Sequence, residues 1–144
     1  MATYRTSVSS PKPPADVFAY LARFSSAAEW DPGVSAAEDI TPGPPAVGST
    51  YRLMVRFLGR TVPLEYRIDE IDGPKRVVLR AENAVVRSTD VIEVAPTGSG
   101  GSTVTYAATL TPKGPSTALA PFLGIVFRRI GDRAAAGLRA ALAT

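Results

Sequence analysis

The 144-residue chain contains no cysteine and no histidine. The first absence excludes disulfides and thiol chemistry, and the second removes the imidazole bases and the usual zinc ligands on which many hydrolases depend. Long apolar runs are also missing. The longest, residues 118–127, contains Pro121 and stops at Arg128-Arg129, short of the ~20 residues that a membrane span requires. Clustered charge is absent too: the net charge is +3, with arginines scattered among apolar and acidic residues, so no nucleic-acid footprint is present. The polar opening MATYRTSVSS lacks the apolar centre of a secretory signal, which predicts a cytoplasmic location.

What is present describes an ordinary globular domain. With 45% apolar and 20% charged residues, residues 1–144 read as one domain able to bury roughly 68–70% of its unfolded surface without a staple. Neither GPPAVGS nor GSGGS precedes a helix as a phosphate-cradling loop does. The adjacent carboxylates Glu38-Asp39 and Asp69-Glu70 fall on strand ends, where alternation sends neighbours to opposite faces. No cofactor and no metal are expected.

Periodicity divides the chain. Residues 2–9 read as a strand, and the prolines of SPKPPADVFAYLARF suit a helix start. A second short helix over SSAAEW ends at Trp30, because Asp31 precedes proline, and Pro32-Gly33 suits a type II turn. From Val34 to Thr111 the period is two, with turn signals at 41–46, Leu58-Gly59, 72–74 and 98–101, which predicts a six-strand antiparallel meander. The last thirty residues return to three- and four-residue spacing through Leu119, Leu123, Val126, Ile130, Ala134, Gly137 and Ala141. They form one long amphipathic helix.

Closing the Leu58-Gly59 turn pairs Val55 with Val62, Leu53 with Leu64 and Tyr51 with Tyr66. Continuing the same face pairs Ile68 with Leu79, Leu79 with Ile92, Ala81 with Asp90, Ile92 with Val104 and Asp90 with Tyr106. The expected result is a row of Tyr51, Tyr66, Ala81, Asp90 and Tyr106 across a mostly apolar face. Two readings stand: Tyr106 satisfies a structural Asp90, or the row orients a ligand with Asp90 as a base. The opposite face, with Arg52, Glu65, Arg67, Arg80, Glu82 and Glu93, reads as solvated.

Strand, two short helices, meander and long helix are the helix-grip order of an α+β fold, a curved sheet of about seven strands wrapped around a C-terminal helix. PADVFAYLARF, EWDPGV, VGSTYRL, FLGRTVPLEYRIDEID, DVIEVAPTGSGGSTVTY and RRIGDRAAAGLRAALA together resemble the START-like, Bet v 1-like (SRPBCC) superfamily. The chain is more narrowly similar to its bacterial polyketide cyclase/dehydrase and lipid transport branch.

That resemblance implies a cavity between sheet and long helix for a lipid, polyketide or other small hydrophobic molecule. It places the sheet wall at Tyr51, Leu53, Val55, Tyr66, Leu79, Asp90, Ile92 and Tyr106, and the helix wall at Phe122, Val126, Phe127 and Ile130. Trp30 falls near the mouth, either touching ligand or simply packed. Small residues at Ala81, Ala108, Ala134 and Gly137 favour empty volume. A carrier or sensor is the first expectation, as a monomer or weak homodimer. A cyclase or dehydratase using Asp90 as base and Tyr66 or Tyr106 as donor is the second, and a partner-regulating module the third.

Overall fold

A computed structural model describes residues 2–57 and 59–143, with the side chains of Phe57, Ser116 and residues 119–124 outside the described residues. Leu58 and the Phe122 side chain, both named above, therefore lie outside them. Strand β1 (Ala2–Ser10) leads into α1 (Pro14–Ala22), a 3₁₀ turn at Phe24–Ser26 and α2 (Ala27–Trp30). The meander follows as β2 (Val34–Asp39), β3 (Thr50–Phe57), β4 (Arg60–Asp72), β5 (Arg76–Glu82), β6 (Val86–Pro96) and β7 (Ser102–Pro112). After a 3₁₀ segment, Gly114–Leu119, comes α3 (Ala120–Ala141).

All seven strands join one sheet in the order β1-β7-β6-β5-β4-β3-β2, every neighbouring pair antiparallel. This is the expected helix-grip α+β fold. Pro14 opens α1 at a position whose N–H would have no intrahelical partner. Register shifts between Val34 and Ala36 on β2 and between Ile68 and Glu70 on β4 each insert one extra residue. Such bulges increase local twist and bend, which curls the sheet toward the helices.

The β3–β4 register is the one read from the sequence: Tyr51 faces Tyr66, Leu53 faces Leu64 and Val55 faces Val62. Ile68 also faces Leu79. Beyond that the expected pairing slips by two residues in both remaining hairpins. Leu79 pairs with Asp90 and Val77 with Ile92, while Ile92 pairs with Tyr106 and Asp90 with Ala108. Asn83 is the cause in the first hairpin, since its Oδ1 accepts the Val85 and Val86 N–H groups at 2.9 Å and starts the loop early. An even slip preserves the face, so Asp90 still points inward.

The turn after Trp30 also differs from expectation. Asp31 Oδ1 accepts the Gly33 N–H at 2.8 Å, the Asp31 carbonyl accepts from Val34 at 3.0 Å, and Gly33 is not among the positive-φ glycines. It is an Asx turn, not type II.

The core lies between the concave sheet face and the helices. Val17, Leu21, Ile68, Val77, Leu79 and Ile92 have essentially no exposure, and each such side chain contributes roughly 1.5–3 kcal/mol by leaving water. Ala134 and Leu138 of α3, and Leu142 just past its end, join this core. A β-carbon on Gly137 would stand 1.8 Å from the Trp30 carbonyl oxygen, so this glycine brings α3 onto α2 and leaves no void there. The outer face is charged as expected, with Arg52 bridging Glu65 at 2.7 Å and Glu38 at 3.0 Å. Exposed pairs of this kind stabilise by less than about 1 kcal/mol.

Candidate functional site

Phe127 and Ile130 of α3 face the concave side of the sheet, and a cavity of about 490 Å³ lies between them and the strands. Its wall is mostly apolar: Phe24 from the first helical region, Leu53 and Val55 from β3, Val62 and Leu64 from β4, Leu110 from β7, and Phe127 and Ile130 from α3. The exposed residues Arg56, Arg60 and Val85 mark the mouth, at the β3–β4 and β5–β6 ends. Ala108, on β7 opposite Asp90, contributes no bulk. A smaller hollow of about 50 Å³ lies between Trp30, Tyr106 and α3, and Asp31 borders both.

A chain of polar groups crosses the apolar wall. The register that sets Arg67 against Arg80 brings Tyr66 level with Ala81, whose own partner is Ser88. Because alanine is short, the Tyr66 hydroxyl reaches over it and donates to Ser88 Oγ at 2.9 Å. Ser88 in turn donates to Asp90 Oδ1 at 3.1 Å, and Tyr106 donates to Asp90 Oδ2. Asp90 is 3% exposed and Ser88 4%.

Burial raises the Asp90 carboxyl to about 6, against the lowering effect of the Tyr106 and Ser88 hydrogen bonds. Burial likewise raises the Asp31 carboxyl, opposed by the Gly33 N–H. The Tyr66 and Tyr106 phenols lie well above their ordinary range, through burial first and then the charge of Asp90, with a smaller contribution from Asp31. The arrangement can hold a buried negative charge and offer acceptors to a guest. It does not offer free phenolic donors, because both hydroxyls are already directed at Ser88 and Asp90.

Of the residues expected on the wall, Leu53, Val55, Tyr66, Asp90, Tyr106, Phe127 and Ile130 meet there. Tyr51, Leu79 and Ile92 do not: they are nearly or wholly inaccessible members of the packed core. Val126, half-buried on α3, is also off the wall. Trp30 is 2% exposed and misses the main cavity. It packs edge-on to Tyr106 with ring centres 5.6 Å apart, donates to Ser26 Oγ at 3.4 Å, and so stands behind the wall. Ala81 also stays in the core, whereas Ala108 lines the cavity.

Ser88 and Asp31 were not singled out by the sequence reading. The alternation that turns Asp90 inward turns Ser88 inward as well, a signal legible in the sequence, whereas its place beside Ala81 follows from the shifted register. Asp31 carried no such signal, since a residue ahead of Pro32 reads as turn chemistry. Among the described residues no group of acidic side chains is arranged to hold a metal ion. No described helix is long and apolar enough to cross a membrane.

Solved structures share this architecture. A START superfamily protein from Mycobacterium smegmatis is similar with a TM-score of 0.75 at 11% identity, over 99% of this chain and 97% of that one. An aromatase/cyclase from Streptomyces reaches 0.78 at 14% identity, over 97% of this chain and 92% of its own. A Thermus thermophilus protein also reaches 0.78, at 16% identity over 97% and 96% of the two chains. At such identities the likeness is one of fold. No curated protein matches the sequence at a significant level. The model of one family, described as polyketide cyclase/dehydrase and lipid transport, matches residues 1–143. Fold, cavity and this match agree, and the chain belongs to the polyketide cyclase/dehydrase and lipid transport family, which supports a ligand-binding or cyclase role.

Proposed function

We propose that the protein carries or senses a small hydrophobic molecule held between the sheet and α3. The observation that supports this most directly is the cavity of about 490 Å³, a volume within the roughly 300–1,000 Å³ of ordinary ligand sites. Protein interiors are otherwise close-packed, and a void of this size forfeits dispersion contacts that larger side chains would supply. The apolar wall with its short polar chain matches the usual composition of a ligand pocket.

Native mass spectrometry of protein from its own host is expected to show a co-purifying lipophilic molecule. Protein stripped of that molecule is expected to take up anilinonaphthalene sulfonate (ANS) with a blue-shifted rise in emission. An empty protein that also ignores ANS would sink the reading.

One observation favours a second reading, a cyclase- or dehydratase-type enzyme: a buried carboxyl held at about 6 is close to the range suited to a general base. In that mechanism Asp90 removes a proton beside a carbonyl, and an oxyanion donor other than Tyr66 or Tyr106 is required. Asp90→Asn separates the two, since turnover of a reactive polyketide would vanish in the second case while hydrophobic binding persists in both.

A further inference from the structure

Asp31 and Asp90 reach the cavity from opposite layers, Asp31 from the turn after α2 and Asp90 from the middle of β6. Every described ion pair joins other acids: Glu38, Asp39, Glu65, Asp69, Glu70, Glu82 and Glu93. Neither cavity carboxylate has a cationic partner among the described residues. Arg56 and Arg60 do border the cavity, but at its exposed mouth and without a contact to either acid.

An ionised carboxylate offers about four acceptor positions. Asp90 receives two donors, Ser88 and Tyr106, and Asp31 receives one, Gly33. Acceptor capacity and negative charge are thus left over inside a wall of Phe24, Leu53, Leu64, Phe127 and Ile130. Charge taken out of water is strongly disfavoured until it is matched. A fatty acid placed head-inward would add a third anion, and an uncharged head would leave the charge unmatched. A protonated amine supplies both the opposite charge and several N–H donors.

We propose that the inner end of the cavity recognises an ammonium group, so that the ligand is an amphiphilic amine whose head lies between Asp31 and Asp90 and whose apolar body extends toward the mouth. The assignment rests on the ligand-carrier reading and specifies its chemistry. The basic mouth at Arg56 and Arg60 disfavours the reverse orientation, with the amine outermost.

The test uses one chain length with three heads: decylamine, decanol and decanoic acid, titrated into the stripped full-length protein at neutral pH by calorimetry. Decylamine is expected to bind at least about tenfold more tightly than decanol, the scale of a hydrogen-bonded charge, with decanoic acid weakest. Asp31→Asn and, separately, Asp90→Asn are each expected to bring the amine-to-alcohol ratio toward one. Equal or tighter binding of decanol or decanoic acid by the unaltered protein overturns the amine assignment while the carrier reading stands. Binding of none of the three overturns both. An unchanged ratio in both folded variants also overturns it, since it would place the ammonium elsewhere.

Discussion

Asp90 shows how a single buried carboxyl shapes the molecule. Its folded value of about 6 lies above the ordinary 3.8, so between these values the folded state binds more protons than the unfolded chain. Stability therefore falls as pH rises through that window, and the penalty is fully present above it. Roughly two units correspond to about 3 kcal/mol as an order of magnitude. Asp90→Asn removes the charge but keeps an acceptor for Tyr106. The variant is expected to melt higher than the parent near neutral pH, with the difference closing as pH falls to about 4. Thermal melts across that range check it, and a destabilisation that does not vary with pH would contradict it. The sequence placed Asp90 inward because its strand alternates, whereas its value of about 6 depends on the elements that cover it.

Helix α3 performs two tasks along its length. Its second half is seated: Gly131 lies against the Tyr4 ring, Gly137 against the Trp30 carbonyl, and just past the helix end the Leu142 carbonyl accepts Ser10 Oγ at 2.7 Å. Farther toward the start of α3, Phe127 and Ile130 roof the cavity. Gly137→Ala tests the seat. Alanine improves helix propensity by roughly 1 kcal/mol, but a β-carbon 1.8 Å from a backbone oxygen forces the helices apart. The overpacking penalty wins, and a net loss of about 2 kcal/mol is expected in chemical denaturation. Gly98→Ala, where nothing lies within 4 Å of the added carbon, is the control and is expected to be near neutral. As a small residue in the sequence, Gly137 suggested empty volume, whereas the fold uses it for a close approach. That the surface approached by Gly137 is the end of α2 followed only from the fold.

At the scale of the whole molecule, the cavity is the unfilled remainder of a curled sheet and one helix. Ala108→Phe projects a ring into it from β7. ANS affinity is expected to fall at least about tenfold while the melting temperature holds or rises, because the added atoms gain contacts where few existed. Fluorescence titration with parallel melts checks both. Unaltered ANS uptake would show that the dye enters elsewhere.

The order of elements, the inward and outward faces of the strands and the β3–β4 register were readable from residue patterns alone, because they depend on local period and on one tight turn. Long-range pairing was not. Asn83 capped its loop early and shifted β6 by two residues, an adjustment that leaves the hydrophobic pattern unchanged and so is invisible to it. That shift sets Ser88 beneath Tyr66, and the separate two-residue slip between β6 and β7 makes Tyr106 meet Asp90 diagonally. Trp30, set by sequence between rim and core, became core because Tyr106 stands between it and the main cavity. Alternation dictates which face a side chain joins, but which side chains meet, and which space stays empty, depends on bulges, loop caps and helix seating that act across the whole chain.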